Sequence, residues 1–410
     1  MTTNHLEGAG SLWLSVWLKP RVTIDRALVQ YSTIQILFLA GLHLSLTVVA
    51  YVIENQLTAV LRDWRVLAAI VGGAAIGIAF LYIGAFCFTW SGRLLGGSAT
   101  AAELRAVLAW GNAPTVIGLT ACFAILAGWW LAANAGLPQP DSDLLGFLVQ
   151  MTAAILALWS AATILLMLSR AQKFGFWRTV ANYVLALTIL ALPLLLIRVF
   201  LFQPFNAPSG SMAPNLVVGD YFVVSKYDYG YSRYSLPFSL PLITGRVHGK
   251  EPERGDVVVF RQPRNPSLDF VKRIVGLPGD SVQIIGGVLN INGQSIPREP
   301  LAEYFDPETM QRAKRWRENL PDGASYEILD AGNSYLDNTE VYTVPAGRYF
   351  VIGDNRNASV DSRMAESDGG GTVPFENLIG RVEGIFFSAN FAPPPKLATV
   401  RFERIGMSVR

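Results

Sequence analysis

Two hydroxyls, Ser209 and Ser211, flank a glycine in the run Pro208-Ser-Gly-Ser-Met-Ala-Pro214. A serine hydroxyl attacks well only when a neighbouring base takes its proton. From about residue 204 onward the chain has one histidine, His248, in a loop rich in flexible residues, so a Ser-His-Asp arrangement has little support. No His/Cys/Asp/Glu group has metal-ligand spacing, and Asp361, Glu366 and Asp368 read as a solvated acidic loop. The remaining candidate base is Lys272, in the run Asp269-Phe-Val-Lys-Arg-Ile-Val-Gly-Leu-Pro-Gly-Asp280. In an alternating strand it shares a face with Phe270 and Ile274, while Val271, Arg273 and Val275 face the other way. An ordinary lysine, with a pKa of about 10.4, offers roughly one free amine in a few thousand at pH 7. Burial lowers that pKa by several units, toward the range where a general base works best. Taken alone, Lys272 is more often an ordinary strand lysine; the surrounding motifs carry the assignment.

These residues need elements to hold them. Of the 410 residues, 51% are apolar and 16% charged, well below the roughly 25% charge of a soluble domain. The net charge of +2 gives no case for nucleic acid, and the two cysteines, Cys87 and Cys122, fall in apolar runs rather than forming a disulfide framework. Runs of about 20 apolar residues predict five spans, Tyr31–Ile53, Val66–Phe88, Pro114–Ala135, Leu144–Leu168 and Val180–Phe202. Lys19, Arg21 and Arg26 precede the first span, Arg93 and Arg105 follow the second, and Arg170, Lys173 and Arg178 follow the fourth. This alternation places the N-terminus in the cytoplasm and everything after Phe202 outside, with Arg62 and Arg65 a mild exception. His43, within the first span, is expected to bond a neighbouring helix, and Arg198 to snorkel toward the outer interface.

After Phe202, short alternating runs predict a mostly antiparallel β domain. Its strands are Tyr221–Ser225, Asp256–Phe260, Phe270–Gly276, Ser281–Ile285, Val288–Ile291, Gly347–Ile352 and Gly380–Phe387, with hairpin turns at Gly286-Gly287 and Asn292-Gly293. Asp228–Glu253 reads as a loop, and a polar insertion near 303–341 is expected to hold a short helix around Glu308–Glu318. The domains are then 1–178, a four-span membrane domain; 179–203, a fifth transmembrane helix; and 204–410, the catalytic domain.

Two stretches resemble the bacterial Yip-type family of multi-span membrane proteins. They are Trp17-Leu-Lys-Pro-Arg21 with Ile24, and Gly92-Arg-Leu-Leu-Gly96-Gly97 with Glu103-Leu-Arg105 and Asn112-Ala-Pro114; the likeness covers about residues 10–175. Here the glycine pair reads as a turn after a helix, and Ser98 or Thr100 as the N-cap of the next. In the second half, Pro208–Leu216, Arg254–Phe260, Val271–Asp280 and Gly353-Asp-Asn-Arg356 with Asp361-Ser-Arg363 resemble, in order, the motif blocks of type I signal peptidases.

That resemblance implies a β-rich Ser/Lys protease outside the cytoplasmic membrane that cuts exported preproteins after small residues of the Ala-X-Ala kind. It implies Ser211 as nucleophile and Lys272 as base. Ser209 would be a donor to the oxyanion, Ser359 the serine orienting the lysine amine, Asp361 and Arg363 a supporting ion pair, and Asp354 with Arg356 a structural network. Phe205 and Met212 would sit at the substrate groove or membrane surface. No cofactor is required, and the partners are preproteins and the phospholipid membrane, with a translocase contact left open. The sequence departs from the family pattern at Asn357-Ala358 and in a glycine-rich insertion after Arg363. Two alternatives remain: a processing protease dedicated to one substrate, and a membrane scaffold with a vestigial protease half.

Overall fold

The computed structural model describes residues 12–30, 32–60, 64–134, 142–306, 311–332, 334–390 and 399–409. The chain divides into two compact units that meet in sequence between Pro193 and Leu194.

The first unit is helical: α1 (Leu12–Leu18), α2 (Pro20–Gln30), α3 (Thr33–Val60), α4 (Trp64–Leu94), α5 (Ala101–Gly111), α6 (Ala113–Asn134), α7 (Ser142–Ala171) and α8 (Phe176–Leu196). Among the described residues, Ile70–Leu94, Ala101–Ile125, Phe147–Ala171 and Phe176–Leu201 are long and apolar enough to cross a membrane. The first expected span falls on α3, where Thr33–Thr47 is a shorter apolar segment. Small residues let α3 and α4 approach closely, since a Cβ on Gly77 would lie 2.5 Å from the Ala40 carbonyl oxygen. Ser45 Oγ also donates to the Ile70 carbonyl at 2.7 Å.

Gly96, with φ +82°, ends α4, and the amide of Gly97 donates back to the Gly92 carbonyl at 2.8 Å. Thr100, not Ser98, caps α5 in a reciprocal box with Glu103. Gln172 explains the paired glycines further. Its buried amide accepts from Ala99 N–H at 3.1 Å and donates to the Phe88 carbonyl at 3.3 Å, and a Cβ on Gly92 or Gly97 would meet it at 2.0 or 2.2 Å. Asn182 of α8 likewise donates to Ser91 Oγ of α4 at 2.6 Å. The expectation for His43 fails: its Nδ1 is buried with no hydrogen-bond partner among the described residues.

The second unit is built on antiparallel strands: β1 (Phe202–Asn206), β2 (Asp220–Ser225), β3 (Val257–Arg261), β4 (Asp269–Gly276), β5 (Ser281–Ile285), β6 (Val288–Ile291), β7 (Arg298–Asp306), β8 (Gln311–Asn319), β9 (Ser325–Leu329), β10 (Arg348–Ile352) and β11 (Leu378–Asn390). The main sheet runs β1-β2-β11-β3-β4-β10, then a short strand at Val373–Pro374. The Val-Val-Val-Phe run of β3 marks a strand buried on both faces. Val257 and Val259 pack with Met212, Leu216 and Phe222, whereas Val258 and Phe260 pack with Ile274, Tyr349 and Val351. β5 and β6 form a hairpin whose turn, Gly286-Gly287, has φ of +56° and +78°.

The insertion differs from expectation. Where a helix was expected around Glu308–Glu318, β8 is a strand, the middle of a sheet β7-β8-β9. Its helix-forming composition is overridden by cross-strand pairing: Arg315 and Arg317 both reach Glu327 of β9, at 3.2 and 3.6 Å. The expected loop Asp228–Glu253 also holds a short pairing of Tyr231–Ser232 with Arg246–Val247.

Candidate active site

The chain leaves β1 through Pro208 and turns in a single 3-10 turn, Gly210–Met212, that carries Ser211. β4 presents Lys272 to it, with Nζ 2.9 Å from Ser211 Oγ. Both side chains are buried, Ser211 at 8% exposure and Lys272 at 4%. The amine also reaches the Val271 carbonyl at 2.9 Å and lies 5.5 Å from the centre of the Phe270 ring. Burial is the main force on this lysine and pushes its pKa down to about 8; the carboxylates of Asp361 and Asp354 pull the other way and Arg363 adds to the lowering.

Ser209, exposed on the near side of the turn, has its Oγ 3.4 Å from Ser211 Oγ. Gly353 passes so close that an added Cβ would lie 2.2 Å from Ser359 Oγ and 2.6 Å from the Ser211 carbonyl oxygen, an approach only glycine permits. Ser359 is buried here, but no hydrogen bond joins it to Lys272. Asp361 accepts from the Gly353 amide at 3.0 Å and is held by Arg363 at 2.8 Å. Burial alone would raise the Asp361 pKa, but the hydrogen bonds and charge of Arg363 outweigh it, and the carboxyl stays below its ordinary range.

Beneath the turn lies a buried ionic network. Asp354 does not pair with Arg356. It takes two hydrogen bonds from Arg273, Nε at 2.8 Å and Nη2 at 2.7 Å, while Arg356 pairs with Glu318 of β8, itself held by Tyr326 at 2.8 Å. Arg273 therefore occupies the opposite face of β4 from Lys272, fully buried and neutralised. Three partners were not read from the sequence: Asn215, which donates to Asp354 at 2.7 Å, Asn355, whose amide donates to the Ser211 carbonyl at 3.1 Å, and Glu318. Of these only Asn355 had a local cue, its place inside the Gly-Asp-Asn-Arg block.

Met212 departs from expectation. It is 1% exposed and packs with Leu216 and Phe222, because a tight turn that aims Ser211 at Lys272 sends the next side chain into the core. Phe205 is half-buried and stacked on Phe222 at 6.2 Å.

The family described as signal peptidase, peptidase S26, matches residues 180–387, and the Yip1 domain matches residues 14–198. Signal peptidase I of Rickettsia conorii is 43% identical over 203 residues, covering 47% of this chain and 74% of that protein. Signal peptidase I of Rickettsia typhi is 41% identical over 220 residues, covering 52% and 81%. A crystal structure of a signal peptidase I from Enterococcus faecalis is 31% identical, with 32% of this chain and 97% of that chain covered and a TM-score of 0.20.

Proposed function

The chain belongs to the signal peptidase S26 family of serine peptidases, and we propose that Ser211 and Lys272 are its nucleophile and general base. The observation that carries this is the 2.9 Å contact between Ser211 Oγ and an amine whose pKa is lowered to about 8. In its neutral form Lys272 takes the Ser211 proton as Oγ attacks the scissile carbonyl carbon. The oxyanion lies against the Ser211 amide and Ser209 Oγ. The ammonium then returns its proton to the departing amine, leaving an acyl-enzyme, and a water activated by the same amine releases it. Asp361 and Arg363 position the Gly353 segment behind the turn. The Ser359 hydroxyl orients the amine once substrate is bound.

The chain acts on exported preproteins and is an inner-membrane protein. In the proposed arrangement five spans put the N-terminus in the cytoplasm and the β domain outside, with small side chains accepted at the first and third positions before the cut. The preprotein enters as an extended strand. Among the described residues, β10 pairs with only Arg273, Ile274 and Gly276 of β4, and β3 covers the opposite edge, which leaves the Asp269–Lys272 half of one edge for substrate.

Cleavage of a preprotein with an Ala-X-Ala site by the detergent-solubilised chain tests this reading. The amine is protonated and idle below its pKa, so kcat/KM rises with pH and levels off above about 8. A flat profile, or one that falls through that range, overturns Lys272 as base. Gly353→Ala is expected to lower kcat about 100-fold with the fold intact, because its Cβ displaces the Ser211 turn. A wild-type kcat in that variant removes the close approach from the mechanism.

A further inference from the structure

A second cluster of cations, away from the dyad, lies in the protease unit where the last apolar helix gives way to β1. A cavity of about 320 Å³ is lined there by Arg198, Gln203, Lys226, Tyr234, Phe238 and Arg261, among others. Lys226 is 3% exposed, and the only hydrogen bond of its ammonium among the described residues goes to the Ser235 carbonyl at 2.7 Å, so two of the ammonium N–H groups are unused. Arg261 pairs with Asp269 at 3.1 Å, but its Nε is buried without a hydrogen-bond partner among the described residues. Arg198 has no ion pair among the described residues. Three cations thus line the cavity with no carboxylate among its described lining residues; Asp269, paired with Arg261, is the acidic group acting on Lys226. Burial first, then Arg198 and Arg261, push the Lys226 pKa down to about 8, and Asp269 only partly opposes them.

A buried ammonium without a counter-charge of its own is costly, and a bound anion removes that cost. The rim adds a second character. Phe238, held at φ +57°, is 95% exposed, and Leu240 and Leu242 are exposed beside it, with Ile197, Phe200 and Leu201 of the helix end.

We infer that this cavity binds a phosphate ester, its phosphoryl oxygens taken by Lys226, Arg198 and Arg261. Lys226 supplies the two free donors at the base. Arg198 and Arg261 close over the oxygens, and Gln203 reaches the ester side. When the ester is a phospholipid headgroup, the Phe238–Leu242 loop lies along its acyl chains.

The test uses the full chain in a neutral detergent, titrated by calorimetry with short-chain phosphatidylglycerol, short-chain phosphatidylcholine and glycerol 3-phosphate. Phosphatidylglycerol is expected to bind at least about tenfold more tightly than phosphatidylcholine, and Lys226→Met to weaken it about tenfold. Arg198→Gln, at an exposed position, provides a second variant that keeps the fold and is expected to weaken binding similarly, with preprotein cleavage in detergent unchanged. Glycerol 3-phosphate binding as tightly as the lipid identifies a soluble ester as the ligand; much weaker binding identifies the lipid. Equal binding of both lipids with none of glycerol 3-phosphate, or wild-type affinity in both variants, overturns the site. Failure here leaves the dyad untouched, since the pH profile of cleavage tests that separately.

Discussion

Ser211→Ala and Lys272→Met are both expected to abolish cleavage, yet only the second is expected to raise stability. Loss of the nucleophile lowers kcat on the order of 10⁴-fold or more, and loss of the base about 10³-fold or more. Ser211→Ala removes one hydroxyl and leaves the melting temperature near that of the wild type. Lys272→Met removes a buried charge. The folded amine holds its proton more weakly than the unfolded one, with a pKa of about 8 against 10.5. The penalty is therefore complete below pH 8, fades as pH rises toward 10.5 and is absent above it. It amounts to about 3 kcal/mol at pH 7, and methionine fills most of the same space. For a domain of this size the variant melts up to about 10 °C higher at pH 7, the gain shrinking toward pH 10. Scanning calorimetry across that range decides it. A variant that melts at or below the wild type at pH 7, or a gain that ignores pH, would show that Lys272 carries no desolvation penalty.

Asp354→Ala has the largest expected effect on stability. Arg273 is fully buried, and apart from Asp354 the only hydrogen-bond partner of its guanidinium among the described residues is the Gly255 carbonyl at 2.8 Å. Removing the carboxylate strands a guanidinium that cannot discharge itself, and also leaves the Asn215 amide, in the segment after Ser211, with only the Glu327 carbonyl among the described residues. Breaking such a pair costs about 3–5 kcal/mol, or roughly 6–20 °C in melting temperature here. Arg273→Met with Asp354→Ala should recover much of that loss, since neither charge is then left alone. Thermal unfolding followed by near-ultraviolet circular dichroism checks both. If the single variant melts within about 2 °C of the wild type, the network under the site is not what holds it.

The strands of the β domain were legible because alternation and turn chemistry agree locally: Ser281–Ile285, Gly286-Gly287 and Val288–Ile291 emerge with the bounds that pattern gives them. Gln311–Asn319 was not, because its charged, helix-forming residues become a strand only once Glu327 and Trp316 find their neighbours across the sheet. The same holds at the site. Ser211 and Lys272 stand out as a nucleophile and a base flanked by apolar residues. The partner of Arg356 is Glu318, in the segment misread as helix, so that pairing was out of reach until the topology was known. Met212 was misplaced because the direction of the turn, which the residue types do not give, decides which side chain faces the lysine.

Lys272 and Arg273 sit side by side on β4 but on opposite faces, one unpaired against the serine and the other neutralised by Asp354. The pleat is thus a sorting device for charge, and it makes the reaction sensitive to parity. Val258 of β3 stands opposite Lys272, and the hairpin from Gln262 to Leu268 sets that alignment. An insertion of one residue that slid β4 along its partner would present Val271 to Ser211, and a deletion Arg273. A guanidinium is always protonated and accepts nothing. A change of two residues would keep the alternation and move the lysine by one pair along the strand. Length variation in this loop should therefore be tolerated only when the bulging loop absorbs it without passing it to the strand, and a single-residue slip would silence the enzyme while leaving its sheet intact.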